Sequence, residues 1–214
     1  MNRRHRLDVA VVGGGVVGSA CALALSALGL EVTLVEGVAP GRWQPQPPDL
    51  RVYAFAADNV ALLEALPSRG ESVWGDIRTA RAHAYRRMRV WDAAGGGELM
   101  FDADALGRSE LGWILEHGLL VDRLWAALPG AGVQVHCPAR VEAAEQDAGG
   151  VRLRLDDGTR LEARLVVAAD GAESTLRALV GLDVDRHDYA QRGVVAYVST
   201  AHAHEDTAWQ RFLP

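Results

Sequence analysis

Cysteine is scarce. Cys21 and Cys137 stand far apart in 214 residues and belong to no Cys or His cluster. That spacing excludes a disulfide framework and a zinc motif, and it suggests free thiols in a reducing compartment. Basic charge is also short: 22 Lys and Arg face 28 Asp and Glu, for a net charge of −6. Acids and arginines are interspersed, without a basic stripe, so nucleic acid is not an expected partner. No repeat and no low-complexity segment interrupts the chain. The seven histidines are scattered. His202 and His204 form an H-x-H pair in a polar stretch that reads as a solvated loop, and no metal is expected. Hydrophobic residues are plentiful at 49%, enough for a sizeable core in one large domain or two small ones.

Val9 to Leu30 carry no charge and follow Arg3, Arg4 and Arg6. A run of that length can span a bilayer, and its basic start resembles a signal peptide. Its five glycines argue otherwise, because four of them fall between positions 13 and 18. The apolar spacing also differs before and after that cluster, and no small-residue cleavage site follows. Leu7 to Val12 read as a short buried strand rich in valine. Gly13-x-Gly15-x-x-Gly18 follows at once, Val16 to Leu28 read as a helix, and Val32 to Val35 form a second strand ended by Glu36. In such a unit the first glycine permits a tight turn, the second lets backbone approach a pyrophosphate, and the third lets helix and strand pack closely. The helix start then faces the phosphates with free N–H groups. Glu36 can accept both hydroxyls of an adenosine ribose. A dinucleotide site is the expectation.

Farther along, Pro40 to Asp49 read as a loop, Ala57 to Leu66 as a helix, and Ala84 to Asp92 with Glu98 to Asp102 as a hairpin. Leu119 to Leu128 read as a helix, and Val133 to His136 as a strand. Arg140 to Glu145 and Gly150 to Leu155 form a second hairpin, and Leu161 to Ala168 a strand. Tyr189 to Thr200 read as a final long strand. Asp170-Gly171 breaks the strand before it, and Ser174 can cap a helix to Val180. An aspartate at the carboxyl end of a strand sits where open parallel sheets bind ligands. On residues alone, the Asp-Gly turn with its Ser174 cap is an equal alternative.

Together these segments resemble a family. The glycine fingerprint with Glu36, Asp49-x-Arg51 with Ala54, and Ala168-Ala-Asp-Gly-x-x-Ser-x-x-Arg177 look like the class A flavoprotein aromatic hydroxylases. Met88-x-Val-Trp-Asp92, Leu111 to Glu116, Asp188-Tyr-Ala-Gln191, Val194 to Ala196 and Thr207 to Pro214 point to the ubiquinone-biosynthesis hydroxylase branch. The resemblance implies an α/β fold, a Rossmann-like FAD-binding domain with a parallel core sheet plus part of a β-rich substrate domain. Residues 1–82 and 103–183 would form the first, and 83–102 and 184–214 the second. It implies bound FAD, with Gly13, Gly15 and Gly18 at the pyrophosphate and Glu36 on the adenosine ribose. Arg51 would lie near the pyrophosphate or flavin, Asp170 and Gly171 on the ribityl–pyrophosphate stretch, and the backbone at Arg140 and Val141 beside the adenine. Read without the family, Arg51 is a surface arginine, and Arg123 is an exposed helical one as readily as a cofactor contact.

The implied reaction is hydroxylation of a prenylated phenol ring in ubiquinone biosynthesis, with NAD(P)H as electron donor and O2 as oxidant. No acid–base residue can be named. The implied location is cytoplasmic, with loose association at the inner membrane where ubiquinone precursors reside. Two departures stand out. His117, Gly118 and Val121 replace the family's usual asparagine, basic residue and glutamine, which puts a flavin contact from that helix in doubt. Family members also continue past the position of Pro214 with more substrate-domain strands and a second flavin-contacting segment. The chain therefore resembles an N-terminal half, inactive without its C-terminal counterpart. The rival readings are another FAD enzyme of the amine or amino-acid oxidase type and a non-catalytic FAD-binding fragment.

Overall fold

A computed structural model describes residues 6–213. Arg3, Arg4 and Pro214 lie outside the described residues. In chain order the elements are β1 (Leu7–Val12), α1 (Val16–Ala27), β2 (Val32–Val35), β3 (Val52–Phe55), α2 (Ala57–Ala65) and α3 (Val73–Arg81). Then come β4 (His83–Tyr85), β5 (Arg87–Asp92), β6 (Glu98–Asp102), β7 (Gly112–Glu116) and α4 (His117–Ala127). β8 (Gln134–His136), β9 (Val141–Asp147), β10 (Gly150–Leu155), β11 (Arg160–Ala168), α5 (Thr175–Leu179) and β12 (Thr207–Phe212) complete the set.

The charge-free run that could have spanned a bilayer is instead β1, a glycine turn and α1. Among the described residues no helix is long and apolar enough to cross a membrane. β1 is buried on both faces, as a central parallel strand must be. Val9 and Val11 join one core with Leu34 of β2, Leu23 of α1, Ile77 of α3 and Leu120 and Leu124 of α4. Ala10 and Val12 point the other way, into a second core with Leu153 and Leu155 of β10 and Leu176 of α5. Each such leucine or valine contributes about 1.5–3 kcal/mol of burial.

The main sheet has six strands in the order β8-β2-β1-β11-β10-β9. Its first four are mutually parallel, and β10 runs antiparallel to both β11 and β9. The register aligns the carboxyl ends. Val12 stands opposite Val35 of β2 and Ala168 of β11, and Val35 opposite His136 of β8. The residues that follow those ends are Gly13, Glu36, Cys137 and Ala169 with Asp170. Pairing alone thus delivers the glycine turn, the acid after β2 and the Asp-Gly turn to one edge of the sheet, beside β1, the point where ligands bind in open α/β sheets.

Two small sheets complete the fold, β3-β7-β4 and β12-β5-β6. Here the structure departs from the sequence expectation. The single strand expected over Ala84 to Asp92 is broken at Arg86, whose N–H and that of Arg87 both donate to the Asp206 carbonyl, at 2.7 and 3.2 Å. β4 pairs with β7, while β5 pairs with β6 and, in parallel, with β12. The strand expected over Tyr189 to Thr200 is absent. That segment has no regular structure among the described residues, and Val194 is 94% exposed. A strand exists only by pairing, and among the described residues no strand pairs with this segment.

Candidate dinucleotide site

A cleft of about 450 Å³ opens at the aligned strand ends, within the range of small-ligand pockets. Gly13, Gly15, Glu36, Val38, Arg140, Val141, Asp170, Gly171 and Thr175 are among the residues that line it. Seven of the residues singled out from the sequence therefore meet in one place. Gly18 lies beneath, and Arg51 is not in the lining.

The three glycines differ in what constrains them. Gly13 has φ +105°, and a Cβ there would overlap the Ala169 carbonyl. A Cβ on Gly18 would run into the carbonyl of Gly13. Both are required by the fold itself. Gly15 is in an ordinary conformation, φ −70°, and a Cβ there would meet nothing within 4 Å. No packing contact of the protein excludes a side chain at position 15, which opens into the cleft. Gly15 is also the N-cap of α1, with no side-chain cap and no acid in the first turn. No side chain caps the N–H groups at this helix start, whose N-cap Gly15 lines the cleft.

Gly14, between them, is clamped. Its N–H donates to Oε2 of Glu36 at 2.6 Å. Its carbonyl accepts from Ser19 Oγ at 3.0 Å and from the Trp125 indole of α4 at 2.6 Å. The other Glu36 oxygen accepts from the Val38 N–H at 3.0 Å. Glu36 thus shapes the glycine turn as well as lining the cleft. A carboxylate offers about four lone-pair directions, so two remain for a ligand hydroxyl. The Arg140 side chain lies over Gly37, where a Cβ would come within 2.9 Å of its Nε.

Asp170 has a structural job too. Its Oδ1 accepts from Ser174 Oγ at 2.6 Å and its Oδ2 from the Leu176 N–H at 3.0 Å. Ser174 Oγ in turn accepts from the Arg177 N–H at 3.0 Å, so the expected cap is present. Asp170 therefore holds the turn and also lines the cleft.

Arg51 immediately precedes β3, with its guanidinium 5.7 Å from the Tyr53 ring. It belongs to a polar group around Asp49, His117 and Glu116. Asp49 Oδ1 accepts from the Arg51 N–H at 2.9 Å, and this bond, ahead of the one from Gly118, holds its carboxyl below the usual range. Buried Glu116 is paired with Arg81 at 2.7 Å and accepts from the Trp43 indole and the Asp49 N–H, each at 3.0 Å, fixing the proline-rich loop. His117 Nδ1 lies 2.9 Å from the Tyr53 hydroxyl. Partial burial, then the charge of Arg51, lower the His117 pKa below 6.5. Arg123 pairs with Asp122 and lies over Trp43, away from the cleft. Val121 of α4 is buried. Both cysteines are free, with thiol pKa values raised by burial.

A parallel sheet with an open glycine turn, an acid after the second strand and a cleft between them defines a dinucleotide-binding α/β protein. The family described as FAD dependent oxidoreductase matches residues 8–213, and the chain belongs to it. Its curated relatives include the 3-demethoxyubiquinol 3-hydroxylase of Escherichia coli, 34% identical over 97% of this chain and 52% of that protein. The ubiquinone hydroxylase UbiL of Rhodospirillum rubrum is 32% identical, over 97% of this chain and 47% of that protein. The chain thus spans about half the length of the curated relatives it matches. Among solved structures, Pseudomonas aeruginosa PqsL in complex with 2-aminobenzoylacetate superposes with TM-score 0.70 at 22% identity, over 86% of this chain and 48% of that one. Tetrameric 2-methyl-3-hydroxypyridine-5-carboxylic acid oxygenase gives 0.69 at 22% identity, over 98% and 53%. These two establish the fold.

Proposed function

We propose that this chain is the dinucleotide-binding half of an FAD-dependent monooxygenase that hydroxylates a prenylated phenol ring in ubiquinone biosynthesis. The observation that carries the FAD assignment is Gly15, which lines the cleft at a helix start with no side-chain cap and with open space where a side chain would stand. There the pyrophosphate would lie over Gly13 to Gly18 and take the N–H groups of α1. Glu36 would hold the adenosine ribose, the backbone at Arg140 and Val141 would flank the adenine, and Asp170 with Gly171 would meet the ribityl stretch. Arg51 would need a ligand extending past the glycine turn toward β3. FAD supplies the redox chemistry when bound, and NAD(P)H would be its electron donor. These residues bind and orient; the reacting ring would lie against segments 83–102 and 184–214. The substrate assignment rests on the names of the relatives, and with it a place at the cytoplasmic face of the membrane holding prenylated precursors.

FAD added to the purified chain should remain after gel filtration, with flavin absorbance at about one equivalent, and Gly15→Val should lose it. Failure of the parent to retain FAD, or equal retention by a folded Gly15→Val, would overturn the site. The reaction is tested in a longer protein containing this sequence, given NAD(P)H, O2 and a prenylated phenol. Hydroxylated product supports the monooxygenase; peroxide formed from an amine without NAD(P)H would favour the oxidase reading.

A further inference from the structure

The turn before β12 and the start of β4, more than a hundred residues apart, bring a second set of chemical groups together. His83, His204 and Asp206 each direct a ligand atom into one space, and all three atoms lie within 4.8 Å of one another. His83 Nε2 is 2.9 Å from Asp206 Oδ1. The two imidazoles meet edge to face, centroids 5.0 Å apart. The turn is held before any ligand arrives: the Asp206 carbonyl accepts from the N–H groups of Arg86 and Arg87, and the Thr207 N–H donates to the His204 carbonyl at 3.0 Å.

We propose that His83, His204 and Asp206 bind a divalent transition-metal cation that ties β4 to the turn leading into β12. Two imidazoles and one carboxylate form a donor set suited to zinc and its neighbours and poor for magnesium or calcium, which take oxygen ligands. Bonds of about 2.0–2.1 Å to a tetrahedral zinc place ligand atoms roughly 3.3 Å apart. No pair therefore needs to close by more than about 1.5 Å from its present limit of 4.8 Å. A fourth position faces solvent and would take water. The hydrogen that His83 Nε2 shares with Asp206 must leave that nitrogen, passing to Nδ1 or to solvent, because the metal takes the lone pair. The Asp206 N–H now donates to His204 Nδ1 at 3.1 Å. Coordination therefore uses either that lone pair or, after a tautomer shift, Nε2. β4 belongs to the β3-β7-β4 sheet and β12 to the β12-β5-β6 sheet. The ion would join the two small sheets, a role separate from the dinucleotide cleft.

The test is calorimetric titration of Zn2+ into the untagged, metal-stripped chain, with Mg2+ present in excess. One saturable equivalent is expected, and Co2+ in its place should give the visible absorption of a low-symmetry site. Loss of a ligand should cost at least as much as loss of an outer partner, roughly 10- to 100-fold in affinity, so His83→Ala and His204→Ala should each weaken binding by that much. Both side chains are exposed, and circular dichroism should show the variants folded. Replacing Cys21 and Cys137 by Ser should leave the affinity unchanged. Binding that survives both histidine variants, that follows the cysteines, or that fails to saturate in the parent would overturn the proposal.

Discussion

The Trp125 indole of α4 donates to the Gly14 carbonyl at 2.6 Å, across 111 positions of sequence. Ser19 Oγ donates to the same oxygen, and Glu36 takes the Gly14 N–H. The peptide at the centre of the glycine turn is therefore fixed from both ends, and the N–H groups around it arrive preorganised. Trp125→Phe keeps the aromatic bulk and removes the donor. A single net hydrogen bond is worth about 0.5–1.5 kcal/mol, so FAD affinity should fall roughly two- to twelvefold in a folded protein. Flavin-fluorescence titration measures it, and unchanged affinity would remove Trp125 from the cleft's support.

Gly15 and Gly18 should fail in different ways. Gly18→Ala puts a methyl into the Gly13 carbonyl, so the turn or α1 must move. Overpacking of this kind costs about 1–3 kcal/mol, and the midpoint of denaturant unfolding should drop without FAD present. At Gly15 an added Cβ meets no protein atom within 4 Å, so Gly15→Val should cost less stability than Gly18→Ala while losing FAD. An equal loss of stability in both variants would show that Gly15, too, serves the fold.

Part of this was legible in the sequence because each level agreed with the next. The valine strand, glycine cluster and alanine-rich helix differ in apolar period, and β1, the turn and α1 stand there. Ser174 capped its helix as its position suggested. β3 was not legible, being four residues long and only half buried. α3 did leave a signal, Ser72 capping Gly75 before the apolar stripe Val73, Trp74 and Ile77, which the proline and glycine nearby obscured. Tyr189 to Thr200 have strand composition but no pairing strand among the described residues, and composition cannot supply one. In the cleft, residue identities could be named from sequence. That Glu36 and Asp170 spend lone pairs on their own backbone depends on strand register, which is a tertiary fact.

His117 makes stability depend on pH. Burial and Arg51 depress its pKa below 6.5, partly opposed by Asp49. The folded protein therefore binds a proton there less readily than the unfolded chain. The contribution is complete above the unfolded value and is lost as pH falls through that value toward the depressed one. Asp49, also depressed, acts in the same direction but from its ordinary 3.8 downward, so the two windows separate. Unfolding free energy should decline as pH falls through the ordinary histidine value of about 6.5, and His117→Gln should flatten that decline. An identical slope in parent and variant would show that His117 titrates normally.

Asp170 demands a comparison, because it holds α5 as well as lining the cleft. Its oxygens accept from the Ser174 hydroxyl and the Leu176 N–H. Asp170→Asn keeps one acceptor oxygen and loses the charge-assisted contacts. It should lower stability whether or not FAD touches it. Ser174→Ala supplies the control: it removes the cap at a cost of about 0.5–2 kcal/mol without reaching the ligand. If Asp170 only holds the turn, the two variants should lose FAD affinity in proportion to stability. If the carboxylate also accepts hydroxyls from FAD, Asp170→Asn should lose further affinity at matched stability, on the order of 1–2 kcal/mol or roughly five- to thirtyfold. Unfolding midpoints and FAD dissociation constants from the same preparations decide between them. Matched losses in both variants would return Asp170 to the role of a turn residue and leave the glycine turn with Glu36 as the remaining support for the cofactor.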